Sequence, residues 1–146
     1  MKQLTQGIFN YLAADAGLAP RLATYSFDGV LRPAVFTDLP VPEDAVFPFV
    51  TVSGNITGTA MDTMNTMGAE ITRDVGVYDK ASQGQATLDD LADYVRSLFH
   101  FRPFTVPLYR MISCNAGYPV IAPTDQTVNG RLITVRFLLG RLEATE

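Results

Sequence analysis

TLDDLADYVRSLF, residues 87–99, is the most strongly patterned stretch of the chain. Leu88, Leu91, Ala92, Val95, Leu98 and Phe99 fall at i, i+3, i+4, i+7, i+10 and i+11, an apolar stripe of helical period. Asp89, Asp90, Asp93 and Arg96 take the other side. Thr87 is a candidate N-cap, and the early aspartates suit the positive end of a helix. The spacing predicts a helix over about 87–100, stopped before Pro103.

Outward from this helix the pattern changes to period two. Downstream, FTVPLYRMIS reads as a strand broken at Pro107, and residues 114–127 read as loop. Asn129-Gly130 has the chemistry of a hairpin turn. Ile133, Val135, Phe137 and Leu139 then alternate with Thr134, Arg136 and Leu138, which predicts a strand. Upstream, DKASQGQ is a polar loop, and Ile71, Val75 and Val77 alternate with Thr72, Asp74 and Gly76. Residues 49–53, FVTVS, are β-branched and strand-like. TDLPVPEDAVFP, with prolines at 40, 42 and 48, predicts an extended surface connection. In RLATYSFDGVLRPAVF, Asp28-Gly29 predicts a tight hairpin turn, and Pro33 confines the second arm to an edge. Leu4, Ile8 and Leu12, with Phe9 beside them, predict an N-terminal helix that Gly17 and Pro20 can end. The expected class is α+β: one domain over 1–146, with a mixed, mainly antiparallel sheet and two main helices packed on one face.

The composition narrows the function. Hydrophobic residues make up 47% and charged residues 18%, the latter below the roughly 25% usual for soluble domains. So little charged surface favours oligomerisation. Eleven basic and fifteen acidic residues give a net charge of −4, which argues against nonspecific nucleic-acid binding but not against an acidic wall that DNA slides past. The one cysteine, Cys114, excludes an internal disulfide and a cysteine-based zinc site, and fits a reducing compartment. The N-terminal apolar run is too short for a signal peptide. No stretch approaches 18 apolar residues, so no membrane span is expected.

Catalytic chemistry finds little material. His100 is the only histidine; at a helix end its expected role is structural or solvated, and a pairing with Cys114 would need a tertiary coincidence. Cys114 reads as a small buried hydrophobe. A histidine-based metal cluster is impossible, and the aspartates lack calcium-loop spacing. Asp89, Asp90 and Asp93 read as a solvated face. SGNITGTAMDT is not a phosphate loop, because Gly58 is followed by Thr59 and Ala60 with no lysine. No enzyme activity, cofactor or metal is expected. Asn55-Ile56-Thr57 is a chance glycosylation triplet.

Residues 54–70, GNITGTAMDTMNTMGAE, hold Met61, Met64 and Met67. The spacing of three allows a helical stripe, but Gly and Thr are poor helix formers, and the stretch joins two strand candidates. It reads as a long excursion from the sheet, of a kind that is often functional, with conformable methionines. Packing on its own domain and docking on a neighbour both remain open. The expected subunit or tube contacts are Met61, Met64 and Met67, with Arg73 and Asp74.

Several segments in order carry a family resemblance: the helix GIFNYLAADAGLA, RLATYSFDG, the link LPVPEDAVFPFVTVSG, the strand TRDVGVYDKAS, the helix LDDLADYVRSLFHF and the closing strand RLITVRFLLGRLE. PFVTV and TRDVGVYDK carry most of it. The chain resembles the tail-terminator (tail-completion) proteins of long-tailed bacteriophages and phage-derived gene transfer agents. The resemblance covers nearly the whole chain; 54–70 and 103–127 depart from it. It implies a structural protein that forms a homo-hexameric ring, caps the tail tube and meets the head connector or stopper, with DNA passing through the lumen. The implied place is the tail of a virion or phage-like particle assembled in a bacterial cytoplasm. Six copies at −4 each would carry about −24, and an acidic lumen repels phosphate. The alternatives are another ring component of the particle, head-closure or tail tube, and a small ligand-binding α+β domain. Paired carboxylates in a pocket would favour the last.

Overall fold

Two long antiparallel strands, β6 (Gly68–Lys80) and β9 (Val128–Arg141), form the spine of the structure. It is a computed structural model that describes residues 2–38, 41–60 and 68–141. The other elements are α1 (Lys2–Ala14), β1 (Thr24–Phe27), β2 (Val30–Pro33), β3 (Val35–Phe36), β4 (Phe49–Val52), β5 (Thr57–Ala60), α2 (Gln85–Phe99), β7 (Tyr109–Ala116) and β8 (Val120–Ile121). The main sheet runs β3-β4-β6-β9-β7. β5 joins it on β6 and β8 on β9. β3 and β4 are parallel; the other pairs are antiparallel. The class is α+β, as the alternation and the helix pattern require.

The spine buries one face. Ile71, Val75 and Val77 of β6 and Ile133, Val135, Phe137 and Leu139 of β9 are buried there, at the odd positions that a pleated strand sends to a single side. Leu4, Ile8 and Leu12 of α1 and Leu88, Leu91, Val95, Leu98 and Phe99 of α2 join them in one cluster. Tyr11 Oη donates to the Leu98 carbonyl (2.6 Å), and Tyr94 Oη to Asp15 Oδ2 (2.6 Å), so polar groups as well as packing bind α1 to α2.

Four sequence expectations change. α2 begins at Gln85, with Gly84 in the N-cap position. Thr87 is inside the helix and caps nothing. Asn129-Gly130 is not a turn: both lie in β9, opposite Asp79 and Tyr78. The Gly130 glycine has a different cause. A Cβ there would sit 2.7 Å from the Tyr78 ring and 3.0 Å from Ala122 Cβ, and that ring is stacked on Phe49 with centroids 5.5 Å apart. Only a residue without a side chain lets the ring cross the strand.

Third, residues 114–127 are not all loop: β7 runs through Ala116, and β8 follows. A bulge between Met111 and Ser113 shifts the register. The buried residues therefore come as Met111, Cys114 and Ala116, a spacing that hides period two. Fourth, the excursion from the sheet is shorter than 54–70. Thr57–Ala60 pairs with Thr72–Ala69, leaving 61–67 between the paired strands. Met61, Met64 and Met67 lie outside the described residues.

The Asp28-Gly29 turn forms as expected. Phe27 pairs with Val30, and φ is positive at both Asp28 (52°) and Gly29 (84°), as a type I′ turn needs. The hairpin β1-β2 is a separate two-stranded arm. Its Tyr25 and Phe27 pack on a second, aromatic cluster with Phe36, Phe49 and Phe47.

Candidate functional site

The even positions of the spine face away from the helix-side residues. Across the ladder, Glu70 pairs with Leu138, Thr72 with Arg136, and Asp74 with Thr134, so each pair shares this open face. Asp74 Oδ1 accepts from Thr134 Oγ1 (2.8 Å). Arg136 Nη1 lies 3.5 Å from Glu70 Oε1, a pair with both partners solvated and hence of small energetic weight. Ser113 and Asn115 of β7 extend the face beside Leu138 and Arg136. The surface sets hydroxyls and opposed charges side by side on paired strands. Among the described residues the basic side chains beside these pairs are Arg136, paired with Glu70, and Arg110 opposite Gly140, too few to grip a phosphate backbone.

Arg73, expected at an interface, is inside the chain. It points to the helix side and is buried. Its Nε donates to Asn55 Oδ1 (3.0 Å) and its Nη1 to Thr5 Oγ1. The guanidinium therefore ties α1 to the turn before β5, and burial pushes its pKa down. Asp74, its neighbour in sequence, is half-buried on the open face. The pleat separates the two, so they do not form one contact.

His100 and Cys114 do come close, because the chain after α2 runs beside β7. Phe101 N donates to the Cys114 carbonyl (2.8 Å), and Ala116 N to His100 Nδ1 (3.3 Å). As acceptor, Nδ1 carries no proton. Burial pushes the Cys114 thiol up to about 12, so at neutral pH it is a thiol and a poor nucleophile. The pair clips backbone together. A cleft of about 400 Å³ is lined by Phe9, Tyr25, Phe27, Val35, Phe36, Thr37, Asp38 and Pro42. Two more, of about 360 and 350 Å³, open near Phe104. Between them they hold one carboxylate, Asp38. Among the described residues no three His, Cys, Asp or Glu side chains gather as a metal site, and no helix is long and apolar enough to cross a membrane.

Sequence reading missed the segment around β8. Tyr118, Val120 and Ile121 are exposed there. Its signal was present in GYPVIAP: apolar residues between Gly117 and Pro123, a composition suited to an edge strand. The arm tip, with exposed Val30 and Leu31, is the hairpin that Asp28-Gly29 predicts, and no local signal marks it as a surface.

No protein-family model and no curated protein matches the chain. Among solved structures, it is similar to a chain of a structure described as the virion of a native gene transfer agent particle. The TM-score is 0.73 at 17% identity, and the match covers 94% of each chain. At that identity the likeness establishes a shared fold, from end to end of both chains.

Proposed function

We propose that the chain is a structural, non-enzymatic component of a phage-like virion, and specifically a ring-forming tail terminator. The observation that carries the reading is the extent of the fold likeness: 94% of this chain and 94% of a virion chain. A shared substructure would leave large unmatched segments; here the likeness takes in almost the whole chain. The order of segments in the sequence supports the finer role. The ring is a homo-hexamer at the end of the tail tube, it meets the head connector or stopper, and DNA crosses its lumen without specific binding. The acidic balance of the chain suits such passage. Assembly takes place in the host cytoplasm, and no cofactor takes part.

Within that role, the 61–67 connection and Asp74 contact a neighbouring subunit or the tube, whereas Arg73 serves the fold. Omitting the chain from particle-producing cells tests the function. Tails of uncontrolled length without heads are expected, and restored by supplying the chain; normal particles would overturn the reading. Replacing only 61–67 by Gly/Ser keeps the β5–β6 pairing. That variant should fold yet fail to restore tails, and full restoration would make the segment a spacer.

A further inference from the structure

Two exposed apolar spots lie at opposite edges of the molecule. One is the arm. Val30 is 52% and Leu31 72% exposed. Neighbours along a strand face opposite sides, so the arm's end is apolar on both, with exposed Arg32 next in line. Its root is fixed beside β3, where Tyr25 and Phe27 meet the Phe36 ring at 5.1 and 5.7 Å.

The other is β8 and the residue two before it, with Tyr118 78%, Val120 58% and Ile121 77% exposed. Ile121 pairs with Arg131, whose Nε is 2.8 Å from Asp89 of α2. Ile121 therefore stands on the helix side. So does Tyr118, with the Arg96 guanidinium 4.3 Å over its ring. Asp89, Asp93 and Arg96 are at i, i+4 and i+7, one flank of α2, and it is the flank that faces β8. Asp93, exposed, is on that same flank.

The root of the arm and β8 share one row of the main sheet. Val35 pairs with Val50, Val50 with Val77, Val77 with Arg131, and Arg131 with Ile121. This single row crosses the sheet from the strand at the arm's root to β8, four strand spacings or roughly 19 Å.

We propose that the arm of one copy docks on the β8–α2 edge of the next, with Leu31 against Tyr118 and Ile121, and Arg32 against Asp93. The contact rests on the ring reading above and names its chemistry. A second copy is the occupant because the two spots match, apolar to apolar and basic to acidic. They are also different surfaces on opposite edges. Each copy then offers one donor and one acceptor, a head-to-tail contact that closes into a ring when the rotation allows.

Leu31→Asp and Ile121→Asp test it. Both sites are open in the monomer, so circular dichroism should show an intact fold. Each substitution should weaken self-association at least about tenfold, because it places a charge in the apolar contact. In an equimolar mixture each variant keeps one sound surface, so native mass spectrometry should show a heterodimer and nothing larger. Wild-type assembly by both variants would overturn the contact alone, and so would rings that form but fail to cap tubes, which would assign the arm to the tube. A wild type that stays monomeric, free and with tubes, would overturn the contact and the ring together. Arg32→Asp and Asp93→Arg should each weaken assembly, and both in one chain should restore it; no recovery would overturn their pairing.

Discussion

The two faces of the β6–β9 ladder share a backbone and differ in what decides their residues. On the helix side, Ile71, Val75, Val77, Ile133, Val135, Phe137 and Leu139 are buried against α1 and α2. Folding itself requires them, since this face supplies most of the apolar burial. On the open side, Glu70, Thr72, Asp74, Thr134 and Arg136 remain partly or fully exposed. Folding leaves those positions largely free, so their chemistry is available for assembly. Regular alternation records the first face in the sequence and says only that the second is polar.

The largest expected effect is on the covered face. Phe137→Ala removes a ring that meets Phe99 and Phe104 edge-on at 6.2 and 6.0 Å. It should cost about 3–5 kcal/mol in chemical denaturation, and a loss under 1 kcal/mol would break the distinction between the faces.

Next comes Gly130→Ala, on the open face yet under the Tyr78 ring. Overpacking there should cost about 1–3 kcal/mol. A neutral result would mean that the ring moves aside and that the open face is plastic. Asp89→Ala should cost about 1–3 kcal/mol, because it deprives buried Arg131 of its carboxylate, although Gln85 and the Gly130 carbonyl still accept from that guanidinium. Asp93→Ala should change the melting temperature little. The sequence made these two aspartates equivalent members of a solvated face; the structure separates them.

The smallest effect belongs to the centre of the open face. Thr72→Val and Arg136→Gln should stay within about 0.5 kcal/mol of wild type in the isolated chain. A larger stability loss would show that this face is part of the fold rather than a reserve for assembly.

What the sequence made legible follows from these physics. Both helices, the DG turn and the regular strands obey local rules, and each appears where its residues predict. The first part of β7 is legible in FTVPLYRMIS, but its end at 114–116 is hidden because the bulge at Met111–Ser113 breaks the period, and β8 is hidden because it has two residues. The NG pair misled because its glycine answers a tertiary need, the passage of the Tyr78 ring, and no local signal records that. Arg73 looked like surface because arginine usually is; its burial depends on Thr5 and Asn55, both distant in sequence. The candidate contact surfaces were the least legible part. An exposed leucine at a turn is ordinary in isolation, and Leu31 and Ile121 gain meaning only once the fold sets them at opposite edges of the molecule, one beside a basic and the other beside an acidic side chain.

The most direct test of the central claim is native mass spectrometry, with electron microscopy, on the purified chain alone and with tail tubes. The account predicts closed rings of six copies, one seated at the end of each tube. A chain that remains monomeric beside bare tube ends, or that polymerises into long tubes of its own, would contradict it.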